Sequence, residues 1–466
     1  MKSLMTLKTE LLPYQIKAVE KLSKIKVGAL YMEMGTGKTR TALELIARRY
    51  NAGKVNHILW LCPCSVKTTI KREIIKHADH IEHLTICGIE TLSSSIRANV
   101  ELRRLVQNKD VFLIVDESNL VKNHKAKRTQ NIMWLAEECT YKLILNGTPI
   151  SRNEADLFAQ WMILDWRILG YRSYWSFANN HIQWDDKVRG KIKSMLNVDY
   201  IVRKIAPYSY QIKKEECLDL PRKTYGTVYY ELDNKQMDHY HYCAHELLFE
   251  VDELEPHTIY RMFTGLQNVI SGIAINLENK NFGRNMFFKD PLENPRIQTL
   301  LEVLDRLNEK VIIFCKYTHE IDDLVKVLNN KYGAGSSVKF NGDVSQKERQ
   351  ENIRKFEYSA QFFVANKMTA GYGLNLQFCN YVIYYSNDWD YATRVQSEDR
   401  VHRLGQNKNV HIIDIVAENT LDERILSCLF RKEHLVDAFK GWLEELKDKK
   451  SLKAMRDWLD EKDASA

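Results

Sequence analysis

VGALYMEMGTGKTRTALELIARRY (residues 27–50) is the stretch whose reading decides the fold. VGALYME is an apolar run of strand length, TALELIARRY has helical spacing, and between them stands Gly35-Thr36-Gly37-Lys38-Thr39. A glycine turn joining a strand to a helix is the setting a phosphate-binding loop requires. Glycines let backbone N–H groups approach phosphate oxygens, and the helix N-terminus adds a positive end. Lys38 can neutralise β and γ oxygens, and the Thr39 hydroxyl can ligate magnesium. The general pattern has a small residue six positions before the lysine, where this chain has Met32. Taken alone, the stretch also reads as a plain glycine turn before a helix.

Further runs of strand length follow with helical stretches between them: HILWLCP (57–63), VFLIVDE (111–117) and KLILNGTP (142–149). Strands alternating with helices imply a parallel sheet. A second set, VIIFCKY (311–317), FFVANK (362–367), YVIYYSN (381–387) and HIIDIVA (411–417), implies a second α/β lobe. The expected division is a nucleotide-binding lobe over 1–154, a helical insertion and linker over 155–290, a second lobe over 291–430 and amphipathic helices over 431–466. Within the insertion, Trp161, Trp166, Trp175 and Trp184 read as helical core, and NFGRNMFFKDPLENP (281–295) is the linker candidate.

Asp116 and Glu117 close the run VFLIV, where side chains emerge at the carboxyl edge of a parallel sheet. A helix cap or solvated turn is the ordinary reading of such a pair. Its position, one strand-helix passage after the glycine turn, instead suits Asp116 to hold magnesium and Glu117 to polarise an attacking water.

With 466 residues, 44% hydrophobic and 28% charged, the chain can build two cores and is neither disordered nor fibrous in composition. No apolar run is long enough for a bilayer, and the opening MKSLMTLKTELLPYQ lacks a secretory apolar stretch. The expectation is no membrane association and residence where the chain is made, in a bacterial or host cytoplasm or a eukaryotic nucleus. Nine scattered cysteines, with Cys62 and Cys64 the one close pair, lack zinc-site spacing and imply free thiols. A net charge of +7 from 68 basic and 61 acidic residues favours a polyanionic partner only weakly.

VDESNLVKN (115–123) followed by LNGTPISRN (145–153) resembles superfamily-two helicases, specifically the Swi/Snf-type DNA translocases. LLPYQIKAVEKL (11–22), MEMGTGKT (32–39) and CLDLPRKTYGTVYYELDNKQMDHY (217–240) resemble further family segments in the correct order. So do KVIIFCKY (310–317), NGDVSQKERQENIRKF (341–356), TAGYGLNLQFCNYVIYYSNDW (369–389) and QSEDRVHRLGQ (396–406). The resemblance covers nearly the whole chain. It implies two RecA-like lobes of a P-loop NTPase, ATP and Mg2+ as cofactors, and a monomer that tracks along DNA, duplex in this family.

The same resemblance assigns residues. Gln15 would read adenine, and Gly35, Thr36, Gly37, Lys38 and Thr39 would form the phosphate loop. Gln396 would sense the nucleotide, and Gly373 would lie beside it. Gly147, Thr148, Thr369 and Gly371 would link the γ phosphate to the DNA track, with Asn119 in the carboxylate box. Arg400 and Arg403 would stabilise transition-state charge from the second lobe, and their three-residue spacing shares one face if the segment is helical. Stepping by about one nucleotide pair per cycle belongs to the family's model, and phosphate contacts imply indifference to sequence.

Three departures stand out. Asn119 replaces the family's usual histidine, which would weaken coupling to DNA. Ser386-Asn387-Asp388-Trp389-Asp390-Tyr391 keeps only the tryptophan of an Asp-x-x-Trp-Asn-Pro stretch, and Thr369-Ala370 replaces Ala-Gly. Two rival readings remain: a strand-separating DNA or RNA helicase, for which the tryptophans could supply a wedge, and a nucleotide-switched clamp that scarcely turns over. Genome maintenance, replication or remodelling of protein-DNA complexes is the expected setting.

Overall fold

The computed structural model describes residues 4–79, 81–147, 149–150, 153–185, 192–249, 256–277, 283–367 and 374–432, with positions 435, 438 and 459. Strands apolar on both faces need cover on both faces, and the first sheet has it. It begins with β1 (Val27–Met32), β2 (His57–Cys62), β3 (Leu84–Gly88), β4 (Val111–Asp116) and β5 (Tyr141–Asn146). The chain then forms helices and a small antiparallel ribbon, β6 (Ile182–Trp184) with β7 (Ile192–Met195), before β8 (Ser209–Ile212) returns to the sheet. The order is β3-β2-β4-β5-β1-β8 and every pairing is parallel.

Alternate residues of these strands enter separate cores. Ala29, Tyr31, Leu59, Leu113 and Val115 pack on one face with Ile132, Phe158 and Trp161. Leu30, Met32, Ile58, Trp60 and Ile114 pack on the other with Ala18, Leu43 and Ile46. This is the period-two arrangement of a strand buried on both sides.

The chain divides after Leu220 into two compact units. The second opens with β9 (Lys223–Tyr230), helices Asn234–Phe249 and Pro256–Ile270, and a ribbon of β10 (Ile273–Asn276) with β11 (Gly283–Met286). Its sheet adds β12 (Val311–Cys315), β13 (Ser337–Phe340), β14 (Phe362–Asn366), β15 (Tyr381–Tyr384) and β16 (Val410–Ala417). The order is β13-β14-β12-β15-β16-β9, again parallel throughout. The fold is thus two six-stranded parallel α/β sheets.

The expected domain limits differ from this division. The span 155–290, read as one mostly helical region, supplies β8 to the first unit and β9 to the second. The linker candidate lies inside the second unit, where Gly283–Met286 pairs with Ile273–Asn276. Strands β8 and β9 lie at edges with partly exposed side chains, so neither carries the apolar run that marks a central strand. The amphipathic helices expected over 431–466 fall almost wholly outside the described residues. Among the described residues, no helix is long and apolar enough to cross a membrane.

Candidate active site

The glycine turn leaves β1 at Met32 and enters helix α2 (Lys38–Asn51), which begins directly at Lys38. Gly35 and Gly37 have φ of 83° and 81°, left-handed values that glycine adopts without a Cβ penalty. A Cβ on Gly37 would also lie 2.3 Å from Gln15 Nε2, so a side chain there would strain the backbone and displace the end of Gln15. Thr36 Oγ1 donates to the Glu33 carbonyl at 2.7 Å. Glu33 N donates to the Ile212 carbonyl at 3.1 Å, and its carboxylate accepts from Lys214 N at 2.9 Å. The edge strand β8 therefore anchors the start of the loop.

Helix Pro13–Leu22 braces the loop from the other side. Tyr14 Oη donates to the Thr36 carbonyl at 3.0 Å, as does Gln15 Nε2 at 3.1 Å. Gln15 Oε1 accepts from Leu12 N at 2.9 Å. Gln15 is 3% exposed, so its observed contacts are with the loop backbone, and reading a base would use its remaining hydrogen-bonding capacity.

Lys38 Nζ donates to the Met32 carbonyl at 2.9 Å. A Cβ on Gly147 would lie 3.5 Å from that ammonium and 3.4 Å from Met34 N, which brings the turn after β5 against the phosphate loop. Register explains the convergence. Asp116 on β4 pairs with Leu145 on β5, and Asn146 pairs with Tyr31 on β1. Carboxylates, Gly147 and glycine turn thus leave the same carboxyl edge of the sheet.

Asp116 is buried, and its carboxylate accepts from Glu117 N at 3.0 Å. Burial first and the Glu117 carboxylate second push its pKa up to about 7, while the Lys38 ammonium pulls the other way. Glu117 has φ 53° and ψ 56°, a left-handed conformation that costs a non-glycine residue about 1–3 kcal/mol. Strain of this kind persists where surrounding structure enforces it. Thr39 and Asp116 offer hard oxygen donors of the type Mg2+ prefers, and both are buried at the same sheet edge as Lys38. The residues present fit that ion.

The raised Asp116 carboxyl has a stability consequence. The folded chain holds a proton that the unfolded chain releases between about pH 4 and 7, so this group's contribution falls as pH rises through that window. Asp116→Asn removes the charge. In nucleotide-free protein it is expected to raise the melting midpoint by several degrees at pH 8 and to match the parent near pH 4. Identical melting curves at pH 8 would contradict the raised carboxyl.

Asn119 lies in a short 3-10 turn, Ser118–Val121, and its amide oxygen is buried with no hydrogen-bond partner among the described residues. Thr148, Thr369, Gly371 and Gly373 lie outside the described residues. Of the tryptophans, Trp161 is fully buried in the core, whereas Trp175 is 60% exposed beside Trp184.

In the second unit the helix carrying Gln396 runs Tyr391–Glu398 and stops there. Arg400 and Arg403 sit in the turns that follow, so the helical face expected from their spacing does not form. Arg403 donates to Asn375 Oδ1, and the Arg400 carbonyl accepts from Leu376 N at 3.0 Å. The supporting residues were missed from sequence. Arg394 binds Asp414 with two bonds of 2.6 and 2.8 Å, and Glu398 accepts from Lys223 Nζ at 2.9 Å. Arg394 and Glu398 stand at i and i+4, and Asp414 interrupts the apolar run HIIDIVA, a position that requires a buried partner. Those were the available signals.

Comparison with known sequences gives the same order of parts. The SNF2-related domain matches residues 83–273, and the helicase conserved C-terminal domain matches 295–405. Together they take in more than half of the chain. The chain carries a stretch similar to the SNF2-related domain followed by one similar to the helicase conserved C-terminal domain. A third model, type III restriction enzyme res subunit, matches residues 8–76, which include the glycine turn. Among SNF2-type and helicase relatives, the uncharacterized ATP-dependent helicase MG018 of Mycoplasma genitalium is 26% identical over 446 residues, covering 91% of this chain and 41% of that protein. Transcription regulatory protein SNF2 of Saccharomyces cerevisiae is 25% identical over 487 residues, covering 90% of this chain and 27% of its own. The chain therefore spans less than half the length of these relatives. The SWI2/SNF2 ATPase core of Sulfolobus solfataricus, solved with dsDNA, aligns over 97% of this chain and 98% of its own at 23% identity and a TM-score of 0.41.

Proposed function

We propose that this SNF2-type chain is an ATP-hydrolysing translocase that tracks on duplex DNA without reading its sequence. The observation that carries the proposal is the convergence of Lys38, Asp116, Glu117 and Gly147 on one carboxyl edge of the first sheet, beside a turn whose two glycines have left-handed backbone conformations. Relatives named as ATP-dependent helicases support the use of ATP.

In this reading the backbone N–H groups of the turn and the Lys38 ammonium bind the phosphates, while Gln15 and Tyr14 keep the turn in shape. When bound, Mg2+ would supply charge neutralisation on the phosphate oxygens, with Thr39 and Asp116 as its protein ligands. Glu117 orients water and accepts its proton. Arg400 and Arg403 are assigned the transition-state charge, with Gln396 as nucleotide sensor. Thr148, Thr369, Gly371 and Gly373 are assigned to coupling and nucleotide proximity, and Asn119 to weakened coupling.

ATPase titrations with duplex DNA, single-stranded DNA and RNA at matched nucleotide concentration test the proposal. Duplex is expected to stimulate most, with an affinity that falls steeply with salt and varies little with sequence. Displacement of a triplex-forming strand should require ATP. Stimulation by RNA alone, or none by duplex, would refute the assignment. Among the described residues, exposed Trp175 beside Trp184 favours a strand-separating variant, which a displacement assay on forked duplex distinguishes.

A further inference from the structure

Three polar side chains with no solvent exposure, Ser118, Asn146 and Gln160, form a chain of hydrogen bonds beneath the candidate site. Ser118 Oγ donates to Gln160 Oε1 at 2.6 Å and accepts from Asn146 Nδ2 at 3.4 Å. Gln160 Nε2 donates to the Pro149 carbonyl at 2.8 Å and to the Asp156 carbonyl at 3.0 Å. The directions agree with one another: the only Gln160 orientation that accepts from a hydroxyl also donates to two carbonyls. Ser118 follows the strained Glu117, Asn146 ends β5, and Pro149 stands two positions after Gly147 in the sequence. One glutamine on helix Leu157–Leu169 thus ties the turn carrying the carboxylates to the turn lying against Lys38.

A buried amide is a costly way to fill this space. The same helix sends the apolar Phe158, Trp161 and Ile163 into the core, whereas the Gln160 amide must find three partners to be buried. What the amide adds is a fixed distance between two backbone turns. We infer that Gln160 is a positioning residue, which holds the Glu117 carboxylate in register with the phosphate loop by tying Ser118 to the Pro149 and Asp156 carbonyls. The inference rests on the reading of Glu117 as the group that orients water.

Gln160→Leu, Ser118→Ala and the double variant test this against the parent. Four quantities are read: melting midpoint, affinity for a fluorescent ATP analogue, kcat without nucleic acid, and kcat with saturating duplex DNA. Both kcat values are expected to fall by about 10²-fold in Gln160→Leu, the scale of a displacement near 1 Å. Analogue affinity should stay within about twofold, because the phosphate loop is untouched. The double variant should be no slower than the worse single variant, as for two members of one linkage. A purely structural role predicts a lower melting midpoint with kcat per folded molecule unchanged, and that result overturns the inference. So does affinity falling in step with kcat. If the parent hydrolyses ATP but ignores nucleic acid, the translocase reading fails alone, and Gln160 is still read on the basal kcat. A parent with no hydrolysis sinks both.

Discussion

Glu117→Gln is expected to lose ATP turnover by ~10²- to 10⁴-fold, the usual contribution of a positioned base, while ATP affinity remains within about twofold of the parent. Lys38→Ala is expected to lose turnover and affinity together. The difference follows from where each group stands. Glu117 sits past the end of β4 in a left-handed turn enforced by its neighbours, and glutamine has the same size and one of the same oxygens. It cannot take up a proton. Lys38 lies at the first turn of α2 with its ammonium 2.9 Å from the Met32 carbonyl, inside the glycine turn itself. Removing it takes a positive charge from the cradle. It also removes the charge that opposes protonation of Asp116, whose carboxyl would then rise further. Steady-state hydrolysis and analogue binding on the three proteins check this. Equal hydrolysis in the parent and both variants would leave a nucleotide-switched clamp as the account of the site.

The carboxyl-edge geometry behind that prediction was largely legible in the sequence, and the parts that were not share a physical cause. In each sheet the four central strands read as apolar runs, because both faces of each are buried. Both edges of both sheets escaped notice. LTICG, SYQI, SVKF and KTYGTVYY are short, polar or partly exposed, and their partner on one side only relaxes the demand for apolar side chains. This blurred the division of the chain, since β8 and β9 lie either side of the passage from the first unit to the second.

The site shows the same split between local and distant signals. Gly37, Lys38 and Thr39, and separately Asp116 and Glu117, stood out as candidates because the chemistry of each group is written in adjacent residues. Tyr14, Ser118, Gln160, Arg394 and Asp414 each act through at least one distant partner, with separations of 22 for Tyr14 to Thr36, 42 for Ser118 to Gln160 and 20 for Arg394 to Asp414. A lone glutamine in LFAQWMIL looks like a tolerated polar residue until its two carbonyl partners are seen. Conversely, the spacing of Arg400 and Arg403 suggested a helix that ends two residues too early. The helix stops at Glu398, whose carboxylate is committed to Lys223 and Arg394, and the chain turns at Asp399.

That early stop bears on the second large effect. Arg403→Ala is expected to reduce the single-turnover rate of ATP hydrolysis by ~10³-fold or more at saturating ATP, the scale of a transition-state arginine. Arg400→Ala should do the same. A helix would hold the two side chains by backbone geometry alone; here the turns are held by contacts within their own unit. Leu376 N donates to the Arg400 carbonyl at 3.0 Å, Gln406 N donates to the Arg403 carbonyl at 3.0 Å, and Gln406 Nε2 donates to the Cys379 carbonyl at 2.8 Å. Arg403 itself reaches Asn375 Oδ1, so the segment after residue 374 and the arginine turn form one local scaffold. Because these bonds are made by backbone and by Gln406, truncating Arg403 leaves the turn intact, and the melting midpoint should move little. Arg400 is 8% exposed, so its alanine variant needs Arg400→Lys beside it to separate lost packing from lost guanidinium. If both arginines serve one transition state, the lysine variant stays slow although its charge is kept, and the double variant falls no further than the slower single one. Unchanged single-turnover rates in all three alanine variants would remove the arginines from the chemistry and leave the first unit without its assigned source of transition-state charge.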